Sequence, residues 1–244
     1  MKPLLKNLFG DLVAAIFIFC PRSRRFRFAL RLSHRLHPLV RLAERLGVPR
    51  MTFSGPRERM MMFLVHRMLE WDLDFEPELE VRPAELLAER EGALLLSCHM
   101  WMNVIWLRWL RRRERRVCLL TVMPSLDRQL GRNLGLERIP PDAHAFLQIR
   151  RRVREGALIH LALDILSPRE GLREVEIGDR RYYFSDHTFH FAHRSGLPVL
   201  FVFPHLNEQG RVIVRLERPI ASRPEEMFEE YCRFMRDGAA RLRA

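Results

Sequence analysis

Lysine is almost missing from this chain: of its 42 basic residues, only Lys2 and Lys6 are not arginine. Cysteine is scarce too. Cys20, Cys98, Cys118 and Cys232 lie far apart with no C-x-x-C pair, which argues against a disulfide framework and a cysteine zinc site and for reduced thiols in a reducing compartment. Long apolar runs are also lacking. Leu8 to Cys20 (LFGDLVAAIFIFC) is too short to span a bilayer as a helix, and no small-residue cleavage site follows it. Repeats and low-complexity segments are absent, as are an aromatic-basic RNA motif and a recognisable helix-turn-helix, so the formal charge of +12 does not by itself point to nucleic acid.

What is present is a hydrophobic fraction of 48%, enough for one substantial core, and arginine interleaved with aliphatics. PRSRRFRFALRLSHRLHPLVRLAERLG follows the first apolar stretch. Residues 1–50 are therefore expected to form an apolar and basic helical segment, lying on an anionic membrane face or covering the core. Residues 51–244 read as one α/β domain. Apolar strands are expected at Ala93–Cys98, Val117–Met123, Ala157–Asp164 and the PVLFVFP run, with more exposed alternating strands at Val175–Phe184 and Val212–Leu216. Helices are expected between them: Arg57–Trp71, one opening at Pro83, one from the His99 region, one capped by Ser125 and ended by Gly135, one capped by Asp142, one capped by Ser185 or Asp186 and ending at Ser195-Gly196, and one from Pro224 onward. That alternation predicts a mostly parallel or mixed central sheet flanked by helices, with an N-terminal helical extension.

His99 stands where the Ala93–Cys98 strand ends and helical spacing begins, at Trp101, Ile105 and Trp109. The carboxyl ends of strands are where open α/β sheets place their ligands. An imidazole there suits either a helix-capping role or a general base taking a proton from a hydroxyl that attacks an acyl carbonyl.

The order of segments around His99 resembles the lysophospholipid acyltransferase superfamily, and within it the lipid A late acyltransferase-like branch. SCHMWMNV is similar to the opening H-x-x-x-x-D/E motif, TVMPSLDRQLGRNLGLERIPP to the Arg-rich segment after it, REGALIHLALD to a Gly-strand-Asp segment, and VEIGDRRYYF through LPVLFVFP to the final third. The resemblance implies transfer of a fatty acyl chain from an acyl carrier protein or coenzyme A thioester to a hydroxyl of a lipid acceptor. It also implies a peripheral place on the cytoplasmic face of the inner membrane and no metal or cofactor. His99 would be the base and Arg128 and Arg132 would contact an anionic headgroup, with Arg180 and Arg181 as alternatives. Backbone N–H groups near Gly178 or at the start of the His99 helix would stabilise the oxyanion.

The acid of the motif is missing, because Val104 occupies its position. Three groups offer a substitute. Asn103 is polar and one helical turn from His99, so it could orient the ring. Asp164 ends an apolar strand and could supply a carboxylate at the same sheet edge. The triplet His187, His190 and His193 invites a metal, but no further ligand stands at a familiar spacing. The alternative function is an acyltransferase-like fold that has lost chemistry and binds lipid or acyl carrier protein.

Overall fold

The computed structural model describes residues 11–12, 15–45, 55–88, 92–100, 102–120, 136–165, 170–177, 180–207 and 209–241. Seven strands, β1 (Leu79–Arg82), β2 (Ala93–Ser97), β3 (Val117–Leu120), β4 (Glu137–Ile139), β5 (Leu158–Ala162), β9 (Val199–Leu206) and β10 (Val212–Glu217), form the main sheet in the order β1-β10-β9-β2-β5-β3-β4. Only β9 and β10 pair antiparallel; the other neighbours run parallel. A second sheet, β6 (Asp164–Ile165), β8 (Arg180–Phe184) and β7 (Arg173–Ile177), is antiparallel.

The period-two alternation of strands divides the core between the two faces. Leu95, Leu158, Leu200, Val202, Val212 and Val214 point to one face. There they meet α1 (Arg22–Arg45), α2 (Pro56–Glu70) and α4 (Asn103–Arg112) through residues such as Phe26, Met61 and Trp106. Leu94, Leu96, Ile159, Phe201 and Phe203 point the other way, onto α5 (Ala145–Arg154), α6 (His187–Ser195) and α7 (Pro224–Arg241). The result is a mixed sheet between two helical layers, with an N-terminal helical region packed on one of them. A one-turn helix, α3 (Glu85–Ala88), stands where a longer one opening at Pro83 is expected.

Two expectations need correction. The run read as one strand to Asp164 stops at Ala162; the chain turns at Leu163, and Asp164 opens β6 of the second sheet. VEIGDRRYYF, whose alternation reads as one exposed strand, instead forms two antiparallel strands, β7 and β8, in keeping with the Gly-containing hairpin that the family resemblance implies there. The edge strands β1 and β4 are too short to show a period in the sequence. The helix expected from Ser125 to Leu134 lies outside the described residues. Among those described, no helix is long and apolar enough to cross a membrane.

Candidate functional site

β2 and β5 run side by side with Ser97 opposite Ala162, so their carboxyl ends finish together. The Ser97 carbonyl then accepts two hydrogen bonds, from the Leu163 N–H at 2.9 Å and from the Tyr231 hydroxyl of α7 at 2.8 Å. These bonds hold the kink after β5 against the end of β2. Asp164 consequently faces His99.

Asp164 Oδ1 accepts the His99 backbone N–H at 2.5 Å and stands 3.0 Å from His99 Nδ1; the Asp164 carbonyl oxygen is also 3.0 Å from Nδ1. A carbonyl oxygen only accepts, so Nδ1 carries the ring proton and Nε2 keeps its lone pair. The His99 side chain is 45% exposed, whereas that of Asp164 is fully buried. Hydrogen bonding to the Asp164 carboxylate raises the His99 pKa from its ordinary value, against the opposing effect of burial. A carboxylate, a ring held in one tautomer and an outward lone pair are the parts that a general base requires.

Asn103 does not share in this pair. Its amide Nδ2 donates to the Cys98 carbonyl at 2.8 Å and its Oδ1 stands 3.3 Å from Ser97 Oγ, so it ties the first turn of α4 to the end of β2 and makes no hydrogen bond to His99. Orientation of the ring, expected of Asn103, falls to Asp164 because the kink at Leu163 brings the carboxylate closer. Val104 is buried among the apolar residues shared by α4 and the sheet and belongs to that core layer.

The other candidates are dispersed. Arg128, Arg132 and Gly178 lie outside the described residues. Arg181 is on the exposed side of β8, 3.4 Å from Glu174 and 3.9 Å from Glu176 across the β7–β8 pair, and does not reach His99. His187 Nδ1 is 3.7 Å from Asp186 and His190 Nε2 is 3.7 Å from Glu225 on α7. Among the described residues, no group of three or more His, Cys, Asp and Glu side chains is arranged to hold a metal ion.

The motif order passes over His160 although it stands within the apolar run ALIHLALD. On β5 it sits between Leu95 of β2 and Leu119 of β3, 3% exposed, and neither ring nitrogen has a hydrogen-bond partner among the described residues. Burial, reinforced by the charge of His99, pushes its pKa down to about 3. It is therefore a neutral imidazole beneath the site. Burial likewise pushes the Cys98 thiol well above its usual range, which removes it as a nucleophile.

A similar solved structure is that of the 1-acyl-sn-glycerophosphate (LPA) acyltransferase PlsC from Thermotoga maritima, 14% identical, with 98% of each chain covered and a TM-score of 0.47. No family model and no curated protein matches the chain.

Proposed function

We propose that the chain is an acyltransferase moving a fatty acyl group from a thioester to a hydroxyl of a lipid or other hydrophobic acceptor, with His99 as general base and Asp164 as its positioning carboxylate. The observation that carries this reading is the His99–Asp164 pair, whose Nε2 faces away from the carboxylate at the carboxyl ends of parallel strands. The acceptor hydroxyl gives its proton to Nε2 as its oxygen forms a bond to the thioester carbon. The carbonyl electron pair moves onto oxygen, and the charge there would be stabilised by N–H groups near Gly178 or by those not already bonded between His99 and α4. When the pair returns, the C–S bond breaks and the Nε2 proton passes to the departing sulfur. Charge on Asp164 stabilises the imidazolium between the two steps. The donor would be an acyl carrier protein or acyl-CoA thioester, with no cofactor in this scheme.

The setting we propose is a peripheral one, on an anionic membrane surface. It is supported by the exposed apolar side chains of Leu12, Ile16, Ile18 and Phe19 just before the arginines of α1.

The test is transfer of labelled acyl chains from carrier-protein and coenzyme A thioesters to a mixed lipid acceptor pool, followed against pH. His99→Ala should lower the rate about a hundredfold to ten-thousandfold, the usual contribution of a positioned base. In the native protein the rate should rise with pH through an inflection above 6.5, the ordinary His99 value, because the base works only when unprotonated. Asp164→Asn should lower the rate and move that inflection down. Full activity of folded His99→Ala would sink the assignment.

A further inference from the structure

A cleft of about 940 Å³ opens between α1, the first turn of α2 and the turn joining β9 to β10. Arg27, Arg31, Arg35, Arg57 and Arg211 line it, and among the described residues no aspartate or glutamate does. On α1 the first three follow one another at helical-turn spacing, so they form one cationic stripe. Like charges so placed repel and weaken a helix unless an anion lies over them. Arg27 is offset by Glu78 at 2.6 Å, whereas Arg31 and Arg35 make no ion pair among the described residues.

The opposite wall is built rigidly. Glu58, buried at the first turn of α2, accepts the Leu206 N–H at 2.8 Å and the Gly55 N–H at 3.1 Å, fastening α2 to the end of β9. This holds Arg57 beneath the turn. Gly210 takes a positive φ of 78° there, and a Cβ on it would collide with the Arg57 guanidinium. The Arg211 N–H donates to Asn207 Oδ1 at 2.8 Å, which closes the turn that carries Arg211. Because β9 is the parallel neighbour of β2, this turn projects from the sheet edge that carries His99.

Resting on the membrane setting proposed above but not on acyl transfer, we propose that this cleft binds the phosphate ester of an anionic phospholipid headgroup and so docks the His99 edge on the bilayer. Arginine forks match phosphate oxygens in pairs. Phe28, Leu30 and Leu32 in the same lining offer contact to the carbon skeleton beside the phosphate. The exposed apolar residues at the start of the chain supply the contact with acyl chains.

The test is flotation of the full chain with phosphatidylcholine vesicles, plain, doped with phosphatidylglycerol, or doped with oleate to the same surface charge. Phosphatidylglycerol vesicles should capture the protein, and oleate vesicles should do so at least tenfold less well. Arg31→Gln with Arg35→Gln should weaken capture about thirtyfold, the scale for two basic groups at an anionic surface. Arg150→Gln with Arg194→Gln removes the same charge from the α5–α6 surface and should weaken capture less than threefold, with melting curves confirming that both double variants fold. Equal losses in the two variants, or equal capture by oleate, would mean that net charge alone is at work and would overturn the site. If inorganic phosphate binds the native chain but not the Arg31/Arg35 variant, while both float equally, the cleft takes free phosphate and the lipid assignment fails. His99→Ala should float like the native chain, so loss of acyl transfer and loss of this site are read separately.

Discussion

At the scale of single residues, the pairing of His99 with Asp164 replaces the spacing of a sequence motif by contact across two strands. Asp164 reaches His99 three times, through one carboxylate oxygen to both N–H groups and through its own carbonyl to the ring. The tautomer therefore does not depend on the carboxylate alone. Val104, where the motif would put the acid, has 6% exposure and packs in the apolar layer over α4. Val104→Asp should accordingly fail to raise activity and should destabilise the fold by about 2–4 kcal/mol, since a carboxylate without partners is placed in that layer. Urea denaturation beside the acyl-transfer assay checks this, and a variant more active than the native chain would show that position 104 faces the site.

Among the elements, α7 braces the end of β2 that carries His99. Tyr231 donates to the Ser97 carbonyl at the end of β2, and its ring packs edge-on against Phe184 and Phe201. Helix and sheet approach closely at Gly238, where a Cβ would stand 2.6 Å from the Phe203 ring. Gly238→Ala must push α7 away from β9 or turn that ring, and Phe203 is fully buried. A destabilisation of about 1–3 kcal/mol is expected from overpacking. Thermal melting gives the size of the loss; an unchanged or higher Tm would mean that α7 has freedom to shift.

For the whole molecule, arginine is distributed unevenly against acid. Arg22, Arg108 and Arg112 converge on Asp74, while Arg116 and Arg152 converge on Glu137, so much of the positive charge is locally offset. The cleft on α1 stands out from this pattern. Two buried groups also give stability an opposed pH dependence. His160, at about 3 in the folded chain against an ordinary 6.5, stays neutral where the unfolded chain takes up a proton, so stability is lost as pH falls from about 6.5 toward 3. Glu58, raised by burial to about 7 from 4.5, holds its proton where the unfolded chain ionises, so its contribution is full below 4.5 and lost as pH rises to about 7. Between 4.5 and 6.5 the two oppose each other; below 4.5 the His160 effect acts without that offset. His160→Leu should therefore shrink the drop in Tm between pH 7 and pH 4. An unchanged drop would show that His160 takes up no stability-linked proton in that window.

The sequence by itself determined the layers and the main strands. Ala93–Ser97, Leu158–Ala162 and Val199–Leu206 are continuous apolar runs because both faces are covered by helices, and such runs are legible without neighbours. It also located His99, since a strand ending and a helix beginning are both local signals. Asp164 was a candidate by sequence, but its contact with His99 depends on a kink at Leu163 held by hydrogen bonds from residues far along the chain. The same holds for Asn103, whose spacing suggested the ring while its nearest partners are the backbone and Ser97. The short edge strands β1 and β4 and the arginine cleft are decided by tertiary structure alone. Each is formed by groups distant in sequence, and no periodicity along one segment records which partner the folded chain brings to the other side.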